Sequence, residues 1–176
     1  MANRQALKEL QTRLAERLQL AKTQGIAPSW LAVEAKGKKY LFPLDQSGEI
    51  FPWVGIQPVS YTQAWFLGVA SLRGGLYGVV DLAGFVTGQA PGSINDIART
   101  DSRLVSLNTA LEVNSVLLID KLAGLRKQDD FADYAARKPD EPAFFGNHYV
   151  DLYGASWQEI NLQMLAQQVE FLTVAA

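Results

Sequence analysis

Three kinds of residue in this chain have the side chains for chemistry: one histidine, a pair of strand-end aspartates, and an arginine set beside two glycines. His148 is the single histidine. A nucleophilic triad built on it needs a serine on a sharp turn and a carboxylate, and no Gly-x-Ser-x-Gly sequence supplies the serine. Asp81 and Asp120 each close an apolar run and precede an Ala-Gly pair. The runs read Val79-Val80-Asp81-Leu82-Ala83-Gly84 and Leu117-Leu118-Ile119-Asp120-Lys121-Leu122-Ala123-Gly124, the second with one extra residue. They hint at an internal duplication. Two carboxylates at equivalent strand ends could then share a proton in the manner of aspartic proteases. The following residues argue against that chemistry, which ordinarily has a small hydroxyl residue and then glycine after the aspartate. Asp81 and Asp120 therefore read as strand-end groups bonded to backbone or turned to solvent.

Other chemistries find less support. Asp129, Asp130 and Asp133 lack the alternating spacing and distal glutamate of a calcium loop, so no metal site is expected. Gly74, Gly75 and Gly78 lie between two β-type runs, without the Gly-Lys-Ser/Thr ending and following helix of a phosphate cradle, and read as hairpin glycines. The β-type segments from Glu49 to Leu82 hold one basic residue, Arg73, which disfavours an oligonucleotide-binding barrel. Arg73 itself stands where two apolar runs meet at Gly74-Gly75. A guanidinium at such a rim beside hydrophobic surface suits a protein-binding hot spot, and equally suits a surface arginine in a hairpin turn.

The elements that must carry these residues are mostly short strands. Met1 to Gln24 has no glycine or proline and repeats Leu7, Leu10, Leu14, Leu18 and Ala21 at helical spacing, which predicts an amphipathic helix stopped by Gly25. The expectation is that its leucines pack on the body of the protein. From Trp30 the pattern turns to β-type runs: Trp30–Glu34 and Tyr40–Phe42 around a Lys-Gly-Lys turn at Gly37, then Glu49–Trp53, Trp65–Leu72, Leu76–Leu82, Arg103–Asn108 and Ser115–Asp120. Such close spacing fits barrels or sandwiches. Gly88 to Asp101, with Pro91, Gly92, Ser93, Asn95 and Asp96, reads as an exposed loop separating two β-rich halves. Asp129 to Pro142 reads as a solvated loop, or a short helix and a loop. Tyr149–Tyr153 reads as a strand. Ser156-Trp157-Gln158-Glu159 has the form of a capping box opening a helix with Trp157, Ile160, Met164 and Leu165 on its apolar face, before Val169–Val174 returns to a β pattern.

Composition narrows the class. The 176 residues suit one domain or two small fused barrels, and 48% hydrophobic with 10% aromatic residues is enough for a packed core. A net charge of −2 offers no broad positive field for nucleic acid. Without cysteine there are no disulfides, thiolate metal sites or cysteine nucleophile, which fits a reducing cytoplasm. The charged first twenty residues do not read as a signal peptide, and no apolar run approaches the ~20 residues of a membrane span. No direct membrane insertion is expected.

At the Arg73 segment the sequence resembles the CheW-like adaptor family of bacterial chemosensory systems. The family signature, Gly-Val-x-Asn-Leu-Arg-Gly followed by Val-Val-Asp-Leu, stands here as Gly68-Val69-Ala70-Ser71-Leu72-Arg73-Gly74 and Val79-Val80-Asp81-Leu82, with Ser71 in place of asparagine. Tyr40-Leu41-Phe42-Pro43-Leu44, Gly48-Glu49-Ile50 and Ser115 to Leu122 resemble further family elements. The leucine helix and Trp65-Phe66-Leu67-Gly68 look most like the PilI-type, twitching-motility branch. The resemblance implies a mainly β fold of two SH3-like five-stranded barrels around a shared core, closed by a C-terminal helix. Residues 1–25 would form the separate helix and residues 28–176 the CheW-like domain. It also implies a non-catalytic cytoplasmic adaptor that needs no cofactor. Its partners would be the regulatory domain of a CheA-type histidine kinase and the cytoplasmic tip of a methyl-accepting chemoreceptor, with type IV pilus motility as output. Carried over by motif, Glu49, Ile50, Gly68, Val69 and Arg73 fall on contact positions, Gly68 admitting a partner backbone. The competing class is a ligand-binding or enzymatic barrel with Asp81, Asp120 or His148 as polar anchors of its pocket.

Overall fold

Successive side chains of a strand point to opposite faces, so an unbroken apolar run must be covered on both sides. The computed structural model, which describes residues 9, 11–15, 29–91 and 101–176, shows how this chain meets that demand. In β1 (Ser29–Ala35), Trp30 and Ala32 face one core while Leu31, Val33 and Ala35 face another. The same division recurs in β5 (Gly75–Asp81), β6 (Arg103–Leu107) and β7 (Ser115–Ile119). There Val79, Leu104, Val116 and Leu118 enter a local core, and Val80, Val105, Leu117 and Ile119 join the core that β1 reaches from the other side. The fold is therefore two curled sheets, each with its own interior, packed on a shared third core.

The first sheet has six strands in the order β8-β1-β2-β11-β10-β9, with β2 at Lys38–Pro43, β8 at Lys121–Lys127, β9 at Phe131–Ala135, β10 at Phe145–Asp151 and β11 at Ser156–Ile160. Its two edge strands, β8 and β9, are joined by a single 3-10 turn at Gln128–Asp130. Such a link spans at most ~14 Å, whereas the edges of a flat six-stranded sheet lie ~24 Å apart. The sheet must curl into a barrel. The second sheet runs β3-β6-β7-β5-β4, with β3 at Ser47–Pro52 and β4 at Phe66–Leu72. Gln57, in the β3–β4 connection, exchanges backbone hydrogen bonds of 2.8 and 2.9 Å with Val69 and closes this barrel. Val174 and Ala176 hold the same connection from the other end through Gln63 and Tyr61.

Several expectations from sequence are corrected. The five-stranded barrel is inserted between β2 and β8, so the loop from Gly88 lies within one barrel and does not separate two halves; Gly92, Ser93, Asn95 and Asp96 lie outside the described residues. The apparent duplicate runs are parallel neighbours in one sheet, Asp81 opposite Leu118, and not equivalents in two barrels. Asp81 leads into α1 (Leu82–Thr87). Of the three glycines read as a turn, Gly74 alone lies in it; Gly75 and Gly78 belong to β5. Ser156 to Glu159 open no helix. They form β11, because Trp157 in the barrel interior can donate its indole N–H to the Asp151 carboxylate at 2.9 Å. The helical signal belongs to Asn161, whose side chain accepts the Met164 N–H at 3.0 Å. A single C-terminal helix is replaced by two one-turn helices, α2 (Leu162–Leu165) and α3 (Val169–Leu172), the second where a β pattern was expected. Asp129 to Pro142 contains β9, anchored by Phe131, whose ring packs against Trp30 at 5.6 Å and Tyr149 at 5.0 Å. Of the N-terminal helix, residues 9 and 11–15 are described; they are helical and exposed, and Leu14 is 56% exposed, not packed.

Barrel closure rests on one glycine. Gly68 has φ +135°, and a Cβ there would meet the Gln57 carbonyl oxygen at 2.1 Å. Gly68→Ala is expected to lose at least about 2 kcal/mol of unfolding free energy. Gly74→Ala, with nothing within 4 Å of its Cβ position, should lose only about 1 kcal/mol. Urea titration compares the two, and equal losses would contradict this account of the seam.

Candidate functional site

The β4–β5 hairpin pairs Leu72 with Gly75, leaving Arg73 and Gly74 as a two-residue turn with φ of +46° and +79°. Both values being positive defines the primed turn whose twist matches a hairpin. A non-glycine residue there costs roughly 1 kcal/mol, and in return the guanidinium is held at the barrel rim. Its Nη1 donates to Glu49 Oε1 at 2.9 Å, and its Cζ lies 6.0 Å from the centre of the Phe51 ring. The contact crosses from the hairpin to β3, at the opposite edge of the five-stranded sheet.

Glu49 is aimed by a bulge. The β3–β6 register shifts between Ser47 and Ile50, and the Ser106 hydroxyl accepts the Glu49 N–H at 2.8 Å while donating to the Glu49 carbonyl at 3.3 Å. A bulge of this kind redirects side chains. Glu49 and the 42%-exposed Ile50 thereby share the rim with Arg73 and the 63%-exposed Leu76. With side-chain exposures of 75% and 55%, the Arg73–Glu49 pair contributes at most about 1 kcal/mol to stability. It orients the guanidinium more than it holds the fold.

The structure thus brings Glu49 and Arg73 together, leaves Ile50 exposed beside Glu49 on β3, and sets Gly68 and Val69 apart, in the seam with Gln57. The backbone that Gly68 admits is the chain's own. Phe51, Leu76 and Ser106 were not singled out from sequence. The polar Ser106 within the apolar run Leu104 to Leu107 was the available signal.

The alternative anchors do not converge as a catalytic group. Asp81 and Asp120 meet at Lys36, on the β1–β2 turn. The Lys36 ammonium lies 3.6 Å from Asp81 Oδ2 and donates to the Ala90 carbonyl at 3.3 Å, while Asp120 Oδ2 accepts the Lys36 backbone N–H at 2.7 Å. Asp81 is thus paired with an ammonium and Asp120 with a backbone amide, so the two carboxylates have separate partners and share no proton. His148 lies on β10 and lines a separate cleft. Among the described residues no group of three or more metal-ligating side chains comes together, and no helix is long and apolar enough to cross a membrane.

Two aspartates respond to pH in opposite senses. Burial holds Asp81 above the ordinary 3.8, the Lys36 charge pulling it partly back. The folded state then binds this proton more tightly than the unfolded state, so stability falls as pH rises from 3.8 through the raised value. The Trp157 indole N–H holds Asp151 below 3.8, so its contribution is complete above 3.8 and is lost as pH falls through the lower folded value. In Tm profiles against pH, Asp81→Asn should flatten the limb above 3.8 and Asp151→Asn the acid limb. An Asp81→Asn profile that follows the native one would refute the assignment.

The model of the CheW-like domain family matches residues 29–144. Among solved structures, the chain is similar to the crystal structure of the scaffolding protein TtCheW from Thermoanaerobacter tengcongensis, at 16% identity and a TM-score of 0.65, covering 85% of this chain and 93% of that one. At this identity the likeness concerns the fold, two SH3-like barrels in both. No curated protein matches the chain.

Proposed function

This chain belongs to the CheW-like domain family, a family of non-catalytic scaffolds, and from that premise we propose that it couples a methyl-accepting chemoreceptor to a CheA-type histidine kinase. Residues 28–176 act as the adaptor unit and residues 1–25 as a separate amphipathic helix. The adaptor works in the cytoplasm, at receptor arrays, and the PilI-like leading helix and Trp65-Phe66-Leu67-Gly68 favour type IV pilus motility as its output. One observation carries this reading. One rim of the five-stranded barrel presents an exposed guanidinium already oriented by Glu49 and Phe51, and the strands that carry it also expose Ile50 and Leu76. Apolar surface around a pre-positioned arginine is the composition of a protein-binding hot spot. Gly68 and Val69 serve it indirectly, by fixing the strand that ends at Arg73.

Coupling requires that the two partners' binding energies be linked, by ~1 to 3 kcal/mol in adaptors of ordinary strength. The shared core makes such linkage feasible without large internal motion, since one face of β1 and one face of β7 pack into it from the two barrels.

Calorimetric titration with the regulatory domain of the cognate CheA-type kinase tests the proposal. Binding in the micromolar range or tighter is expected, weakened about tenfold or more (~1.4 kcal/mol) by Arg73→Glu. The Tm of that variant should stay near the native value, because the ion pair is exposed. Restoring part of the affinity with Glu49→Arg in the Arg73→Glu background would separate orientation of the charge from its sign. Absence of binding at ~100 μM kinase domain, or indifference to Arg73→Glu, would overturn this reading.

A further inference from the structure

The Arg73 rim depends on a side chain that is itself buried. Leu104 and Ser106 lie two residues apart on β6 and so share a face. Leu104 enters the core of the five-stranded barrel, as does Val116, which stands opposite Ser106 on β7. Ser106 therefore occupies an interior position, 6% exposed, where an apolar residue fits the pattern and an unbonded hydroxyl would be destabilising.

The hydroxyl is fully used. It accepts the Glu49 N–H at 2.8 Å and donates to the Glu49 carbonyl at 3.3 Å, so one side chain holds both backbone groups of one residue. The bulge creates that need, because Gly48 and Glu49 together stand where a regular ladder would set one residue against Ser106. Gly48 is the matching part on β3. A Cβ there would collide with Ser106 Oγ and would stand 2.7 Å from the Leu107 carbonyl oxygen.

Glu49 and Phe51 also share a face, being two residues apart, and they are the groups that hold the guanidinium. Phe51 is fixed by the core it belongs to. Glu49 has no such anchor for its side chain, which is 55% exposed, and relies on the Ser106 bonds to its backbone.

We propose that Ser106 is a positioning residue for partner recognition: through the Glu49 backbone it sets the direction of the Arg73 guanidinium, and it governs affinity at the rim from inside the barrel. This rests on the reading of the rim as the kinase-binding surface. A guanidinium already ordered in the free chain is not ordered at the expense of binding. Loss of the hydroxyl returns that cost to the docking step.

Two measurements on the full chain test this. The first needs no partner: the heteronuclear NOE of the Arg73 Nε–H reports how ordered the guanidinium is on the picosecond-to-nanosecond scale. Ser106→Ala should lower it to the value found in Glu49→Ala. So should Ser106→Cys, which keeps the shape of serine but hydrogen-bonds weakly, and Gly48→Ala, which displaces the hydroxyl from the facing strand. The second is calorimetric titration with the regulatory domain of the CheA-type kinase. Ser106→Ala is expected to weaken binding about two- to tenfold and to weaken it no further in the Glu49→Ala background. A serine that served the fold alone would give the same factor in both backgrounds. An Arg73 NOE unchanged by Ser106→Ala, or independent losses in the double variant, would overturn the proposal. Failure of the native chain to bind the kinase domain would overturn the kinase reading and the recognition role with it, while the NOE decides by itself whether Ser106 positions Arg73.

Discussion

The rest of the structure depends on the core that the two barrels share. Leu31, Val33, Tyr40 and Phe42 reach it from the six-stranded barrel, and Val80, Val105, Leu117 and Ile119 from the five-stranded one, with Leu162, Leu165 and Phe171 filling its end. Neither sheet could leave these faces in water, because each side chain forgoes roughly 1.5 to 3 kcal/mol when it is not buried. Each barrel is thus the other's cover. The chain order follows the same logic, since the five-stranded barrel is made between β2 and β8 and the six-stranded one is completed only afterwards.

Closure is handled differently in the two barrels, and the difference leaves an exposed rim on one of them. The six-stranded sheet is forced to curl by a short covalent link between its edges. The five-stranded sheet has no such link and is sealed by hydrogen bonds from Gln57 to Val69 over a glycine that permits the contact. Its edges are correspondingly exposed at the end where the Arg73 turn meets the β3 bulge. Exposed residues at the rim are held by residues that touch only the chain itself, which is why Gly68 and Arg73 share one motif while having separate physical roles.

Charge is distributed in the same way. Lys36 pairs its ammonium with Asp81 of β5 and gives its backbone N–H to Asp120 of the β7–β8 turn, tying the first hairpin to the other barrel. Two residues further on, Lys38 has no such obligation. One lysine of the hairpin is structural and the other is exposed, a division set by which of them reaches Asp81.

The sequence by itself determined the elements. Apolar runs broken by turn residues located most strands to within a residue or two, and the motif around Arg73 with Val79 to Leu82, together with Gly48-Glu49-Ile50, named the family and two residues, Glu49 and Arg73, that do meet at one rim. What it could not determine were relations between distant segments. Ser156 to Glu159 reads as a helix start until Asp151 supplies the indole's partner, and Asp129 to Pro142 reads as solvated until Phe131 has Trp30 and Tyr149 to pack on. The two Asp-x-Ala-Gly-like runs read as a repeat until register makes them neighbours. Local pattern reports what a segment prefers when its surroundings are averaged. Tertiary structure decided strand against helix, seam against surface, and bound against free lysine, because in each case the deciding partner lies many residues away and is brought near only by barrel closure.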